Sequence, residues 1–105
     1  MTRQQRHQSE SDLTLETALG RFVDSPVRLP PQHVQAILNE LCGAFGMCLT
    51  PQDYETIEAD PPTDPRAFAE LVMKLDGLGS DDAALFLPVL RRVLSTFERV
   101  ARGKP

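Results

Sequence analysis

Residues 50–82 read TPQDYETIEADPPTDPRAFAELVMKLDGLGSDD, and this stretch carries three helix starts in close succession. Thr50-Pro51, Asp64-Pro65 and Ser80-Asp81-Asp82 each put a capping side chain just ahead of a helix. Such a side chain accepts from a backbone N–H that has no partner inside the helix. Pro51 and Pro65 stand at the first helical position, where a missing N–H costs nothing. The second half of the chain is therefore cut into short helices joined by tight loops.

The helix after Thr50 spans 51–59. Leu49 and Tyr54 take the two positions of a hydrophobic staple, and Asp53 stands where a capping-box acid belongs. Asp60-Pro61-Pro62-Thr63 ends it. The next helix spans 65–76 with Phe68, Leu71, Val72 and Leu75 inward. Gly77 is its left-handed C′ residue, and Leu78 reaches back to Met73. The last helix, 81–102, is expected to be the longest. Its apolar positions Phe86, Leu90, Val93, Phe97 and Val100 step 4-3-4-3, widened by Leu87 and Leu94. Pro88 removes the bond to the carbonyl of Ala84, which predicts a kink or a restart.

Toward the N-terminus, a helix over 31–45 carries Val34, Ile37, Leu38, Leu41, Cys42 and Phe45, and Gly46 is its left-handed cap. Val27-Arg28-Leu29-Pro30-Pro31 is an extended connector, because a residue before proline is pushed out of the α region. Ser11 or Asp12 caps a first helix with Leu15, Ala18, Leu19, Phe22 and Val23 on one face, ended by Asp24-Ser25-Pro26. Residues 1–10 read as a disordered polar tail, 11–102 as a single helical domain, and 103–105 as a frayed end. The expected fold is all-α, a small bundle of four to five short helices packed around a longer C-terminal helix.

A chain of 105 residues suffices for one domain with its own core. No apolar run approaches the ~20 residues of a membrane span. The polar start, Met1 to Glu10, has no secretory signal, so the expected location is cytoplasmic. Nine arginines against two lysines, with abundant proline, suggest a GC-rich bacterial genome.

The net charge of −4 is unevenly spread. Residues 53–82 hold nine acids against Arg66 and Lys74, a balance of −7. Residues 91–105 hold Arg91, Arg92, Arg99, Arg102 and Lys104 against Glu98, a balance of +4. Helix macrodipoles account for part of this, since acids favour N-termini and bases C-termini. The remainder reads as an acidic face for a basic partner.

The residues that could carry chemistry do not fall into a known pattern. Cys42, Cys48, His33 and His7 lack the paired spacings of zinc sites. The two cysteines are expected to be reduced and to pack as small apolar groups, with a disulfide or redox pair as the alternative. The acid-bearing loop from Asp76 would put Leu78 at the third position of a calcium loop, where an oxygen ligand is required. His33 reads as a first-turn surface residue, and no nucleophile elbow, phosphate loop or H-E-x-x-H occurs. Helices 51–59 and 65–76 could mimic a helix-turn-helix, but the surrounding acids repel phosphate. Only the final helix, with Arg91, Arg92, Arg99 and Arg102, could touch a nucleic-acid backbone.

Surfaces are left. We expect a non-enzymatic protein–protein interaction module without cofactor or metal, of the inhibitor, adaptor or toxin-neutralising type. Asp53, Glu55, Glu58 and Asp60 would form its acidic face against a basic partner. The alternative is a self-associating structural protein; an enzyme or nucleic-acid binder comes third. A helix over 81–102 would be about 33 Å long, against about 14 Å for 51–59. That mismatch predicts a homodimer in which Val93, Phe97 and Val100 are covered by a second copy.

Overall fold

The computed structural model describes residues 3–77 and 83–103, with side chains over 14–77 and 84–103. The chain is all-α: α1 (Arg3–Asp24), α2 (Pro31–Phe45), α3 (Pro51–Ala59), α4 (Pro65–Leu75) and α5 (Ala83–Ala101). α5 packs on α4 and α2, α3 lies on α2, and α1 lies on α4.

The capping signals at Thr50, Asp64, Gly46 and Gly77 act as read, whereas Ser11 and Asp12, expected to cap the first helix, lie inside a helix that starts at Arg3. Thr50 Oγ1 accepts from the Asp53 N–H at 3.1 Å, and Asp64 Oδ1 accepts from the Ala67 N–H at 2.9 Å. Gly46 ends α2 at φ 72°, and its N–H donates to the Cys42 carbonyl at 2.9 Å. Gly77 follows α4 at φ 79°. These conformations favour glycine because a Cβ would meet the following carbonyl. The Ser80-Asp81-Asp82 start and the reach of Leu78 to Met73 lie outside the described residues. α5 runs unbroken through Pro88, so the expected restart does not occur.

The inward faces are rotated from expectation in two helices. α4 buries Phe68, Ala69, Val72 and Met73, whereas Leu75 is 38% exposed. α5 buries Val89 beside Leu90, Val93, Leu94 and Phe97, whereas Leu87 is 39% exposed. Small Ala69 sits inward because it lets α4 approach its neighbours closely, and Met73 is unbranched and fills irregular space. Val23, expected on the inner face of α1, is also exposed.

α1 begins at Arg3, so residues 3–10 are helical rather than a structureless tail. With 22 residues it exceeds the 19 of α5, which is long only beside α2, α3 and α4. Its C-terminal turns enter the core. Phe22 of α1 and Phe68 of α4 both stand edge-on to Phe97 of α5, with centroids 5.5 and 6.1 Å away. Phe97 is 0% exposed and Val93 equally buried, and half-buried Val100 packs on the same cluster. A single copy of the chain thus covers the stripe that was expected to need a second copy. α4 and α2 cover most of it, and Phe22 of α1 closes over Phe97 at its far end.

The connector between α1 and α2 is tied down. The Val27 N–H donates to the Thr63 carbonyl at 3.0 Å, the Arg28 guanidinium to the Ala59 carbonyl at 3.0 Å, and Leu29 is buried. The α3–α4 loop is thereby held against the start of α2.

Candidate functional site

Cys42 and Cys48 are joined in a disulfide, with Cα atoms 4.4 Å apart. This corrects the expectation of two reduced thiols. The physical reason lies in the left-handed turn at Gly46. It folds the chain back at the end of α2 and returns residue 48 to the last turn of the helix, within the range a disulfide spans. Cys48 is exposed and Cys42 half-buried, so neither packs as a core residue. Both signals, the cap glycine and the flanking cysteines, were present in the sequence.

The acids of α3 do not share one face. At about 100° per residue, Glu55 stands about 160° around the helix from Asp53. Asp53 and Glu58 are half-buried, while Glu55 and Asp60 are exposed. Glu58 follows buried Ile57, and its Oε1 is buried without a hydrogen-bond partner among the described residues. A carboxylate oxygen placed like that has lost water without gaining a donor. Of the four acids, only Glu55 and Asp60 are well presented to a partner.

The chain's arginines do form a surface feature. A groove of about 700 Å³ runs between α2 and the outer side of α5. Its α5 wall is the stripe Ala84, Pro88, Arg91, Ser95 and Arg99, stepping 4-3-4-4, all exposed. On the helical wheel this stripe lies opposite buried Val93. Leu87 and Pro88 make the apolar end of its α5 wall, and Phe45 of α2 adds apolar lining from the other side. Arg92 and Glu40 join the two helices across the groove, 2.6 Å apart, and the Arg92 guanidinium lies 5.7 Å over the Phe45 ring. Phe45 itself falls inside the ring closed by Cys42–Cys48.

The remaining cations are not neutralised in this way. Among the described residues the ion pairs are Arg92–Glu40 and Arg66–Glu16. Arg99 donates to Thr96 Oγ1 at 3.3 Å, a neutral partner, and Arg91 faces the groove without a carboxylate. The groove therefore pairs an apolar end with two guanidinium groups that have no carboxylate partner among the described residues. By periodicity alone Leu87 widens the apolar stripe of the last helix, and Arg92 and Arg99 flank a dimer seam or meet a nucleic-acid backbone rather than lining a groove with α2. The signal that would have found this stripe was its position opposite Val89, Val93 and Phe97 on one helix.

A second concavity, of about 620 Å³, lies between the ends of α1 and α5. It mixes Arg21 and Arg102 with Asp24 and Glu98, so it presents no single sign of charge. Among the described residues no three of His, Cys, Asp and Glu converge into a set that could hold a metal ion. No helix among them is long and apolar enough to cross a membrane. The chain matches no family model, no curated protein and no solved structure.

Proposed function

We propose that this protein is a small non-enzymatic protein–protein interaction module whose binding surface is the α2/α5 groove. The single observation behind this reading is the make-up of the groove. Leu87 and Pro88 form an exposed apolar end of the same groove that Arg91 and Arg99 line, and these two arginines lack carboxylate partners among the described residues. Isolated exposed apolar residues are ordinary on a surface. An apolar patch bordered by aligned guanidinium groups is the composition of an interface, where arginine is enriched and exposed apolar area is buried. The sign of charge differs from the acidic face expected from the sequence, because two of the four acids, Asp53 and Glu58, are half-buried, whereas Arg91 and Arg99 are exposed and line one groove.

Site-specific photo-crosslinking in the native cell tests the reading. A benzophenone side chain at Leu87 is expected to capture a different protein, and one at Gln52 on the outer side of α3 is not. Homo-adducts alone would instead support the self-associating structural role. Equal capture from both positions, or none from either, would overturn the reading.

A further inference from the structure

We propose that the groove receives an acidic amphipathic helix of the partner, with an apolar anchor on Leu87 and Pro88 and two carboxylates pairing with Arg91 and Arg99. This rests on the interaction reading above and specifies the partner's chemistry.

The geometry of α5 sets the spacing. Arg91 lies four residues beyond Leu87, about 6 Å along the axis, and Arg99 lies eight residues beyond Arg91, about 12 Å. A helix laid along the groove meets these points with an apolar residue, a carboxylate one turn on, and a second carboxylate seven or eight residues later. Small Ala84 and Ser95 lie on the same stripe, so a helix backbone can come close between the larger side chains. Guanidinium forks take carboxylates by two parallel hydrogen bonds, which favours such acids over a diffuse negative charge.

Arg92 has a different part. Its guanidinium is already held by Glu40 at 2.6 Å and lies over Phe45, so it forms the wall rather than the receptor. Because Glu40 already occupies Arg92, an acid placed across from that pair finds no free guanidinium, which helps to fix the register. The same groove suits nucleic acid poorly. Its apolar end offers phosphate nothing, Glu40 sits in the wall, and the chain as a whole carries −4.

The test is selection of helix-forming peptides from a randomised display library on the intact, oxidised protein. The expected winners carry Asp or Glu pairs seven or eight residues apart and a Leu, Ile or Phe one turn before the first acid. A variant with Arg91→Glu and Arg99→Glu should bind those winners at least tenfold more weakly and select Lys or Arg at the same spacing. Both side chains are exposed, so its thermal melt should match the wild type; otherwise Arg91→Gln with Arg99→Gln takes its place and only the tenfold loss is read.

Enrichment of neutral or basic peptides, or no enrichment, would overturn the proposal. So would tighter binding of a 16-base-pair DNA duplex than of the best peptide, or a wild-type dimer in sedimentation that the double variant dissociates. A heterologous crosslink at Leu87 combined with any of these results would leave the interaction module standing and remove only the acidic helix.

Discussion

The ring of Phe97 stands edge-on to that of Phe22, with centroids 5.5 Å apart and planes inclined at 74°. This contact joins the last helix to the first across most of the chain. The positive edge of one ring meets the negative face of the other, a geometry that adds about 0.5–1.5 kcal/mol beyond area burial. Phe68 makes a similar contact on Phe97, with planes inclined at 79°, so three helices meet at one side chain.

Phe97 is therefore a stability residue. Phe97→Ala should cost about 3–5 kcal/mol, the range for deleting a buried aromatic ring. Phe97→Asp should leave the chain largely unfolded. Urea denaturation followed by circular dichroism measures both. A Phe97→Asp variant with wild-type helicity and melting would contradict the packing described here.

The disulfide makes a second prediction. Intact mass under non-reducing conditions, followed by alkylation, should show no free thiol, and reduction should expose two. The ring closed by Cys42 and Cys48 is short, so the chain-entropy model allows at most roughly 2 kcal/mol of stabilisation. Cys42→Ser with Cys48→Ser should thus remain folded with a lower Tm. Two alkylatable thiols in non-reduced protein would contradict the bridge.

The caps are independent of the core and should behave as local switches. Thr50→Ala and Asp64→Ala each remove one bond to an otherwise unpaired N–H, at a cost of about 1 kcal/mol. Thr50→Ser should recover most of the loss, because it keeps the accepting oxygen. Chemical denaturation of the three variants decides this. A neutral Thr50→Ala would show that α3 is held by packing alone.

Tyr54 gives the alkaline side of the stability curve a definite sign. Burial raises its pKa above the ordinary value of 10.0, and its hydroxyl donates to Asn39 Oδ1 at 2.9 Å. The folded state then holds the phenol proton at a pH where the unfolded chain has begun to release it. Its contribution is complete below about pH 10 and is lost as pH rises through the folded-state value. Tyr54→Phe should cost about 1 kcal/mol at neutral pH, from the lost hydrogen bond. It should also lose less stability than the wild type between pH 9.5 and 11. Parallel pH–stability curves for the two proteins would rule out this linkage.

What the sequence determined lies within a few residues of its signal. Thr50 and Asp64 start helices because their oxygens reach N–H groups three residues ahead, and Gly46 ends one because its own φ is positive. None of these needs a partner from another part of the chain. Tertiary structure decided which side of each helix faces inward. Leu75 was as apolar as Met73, and only the crossing of α4 with its neighbours buried Met73, left Leu75 exposed and set Leu71 at the margin of the core. It also decided that Phe97 is covered by α1 and α4 together, and that the outer stripe of α5 borders α2 to make a groove. Helical periodicity shows which residues share a stripe, but the stripe's orientation depends on which distant helix arrives beside it. Burial is a property of that whole arrangement.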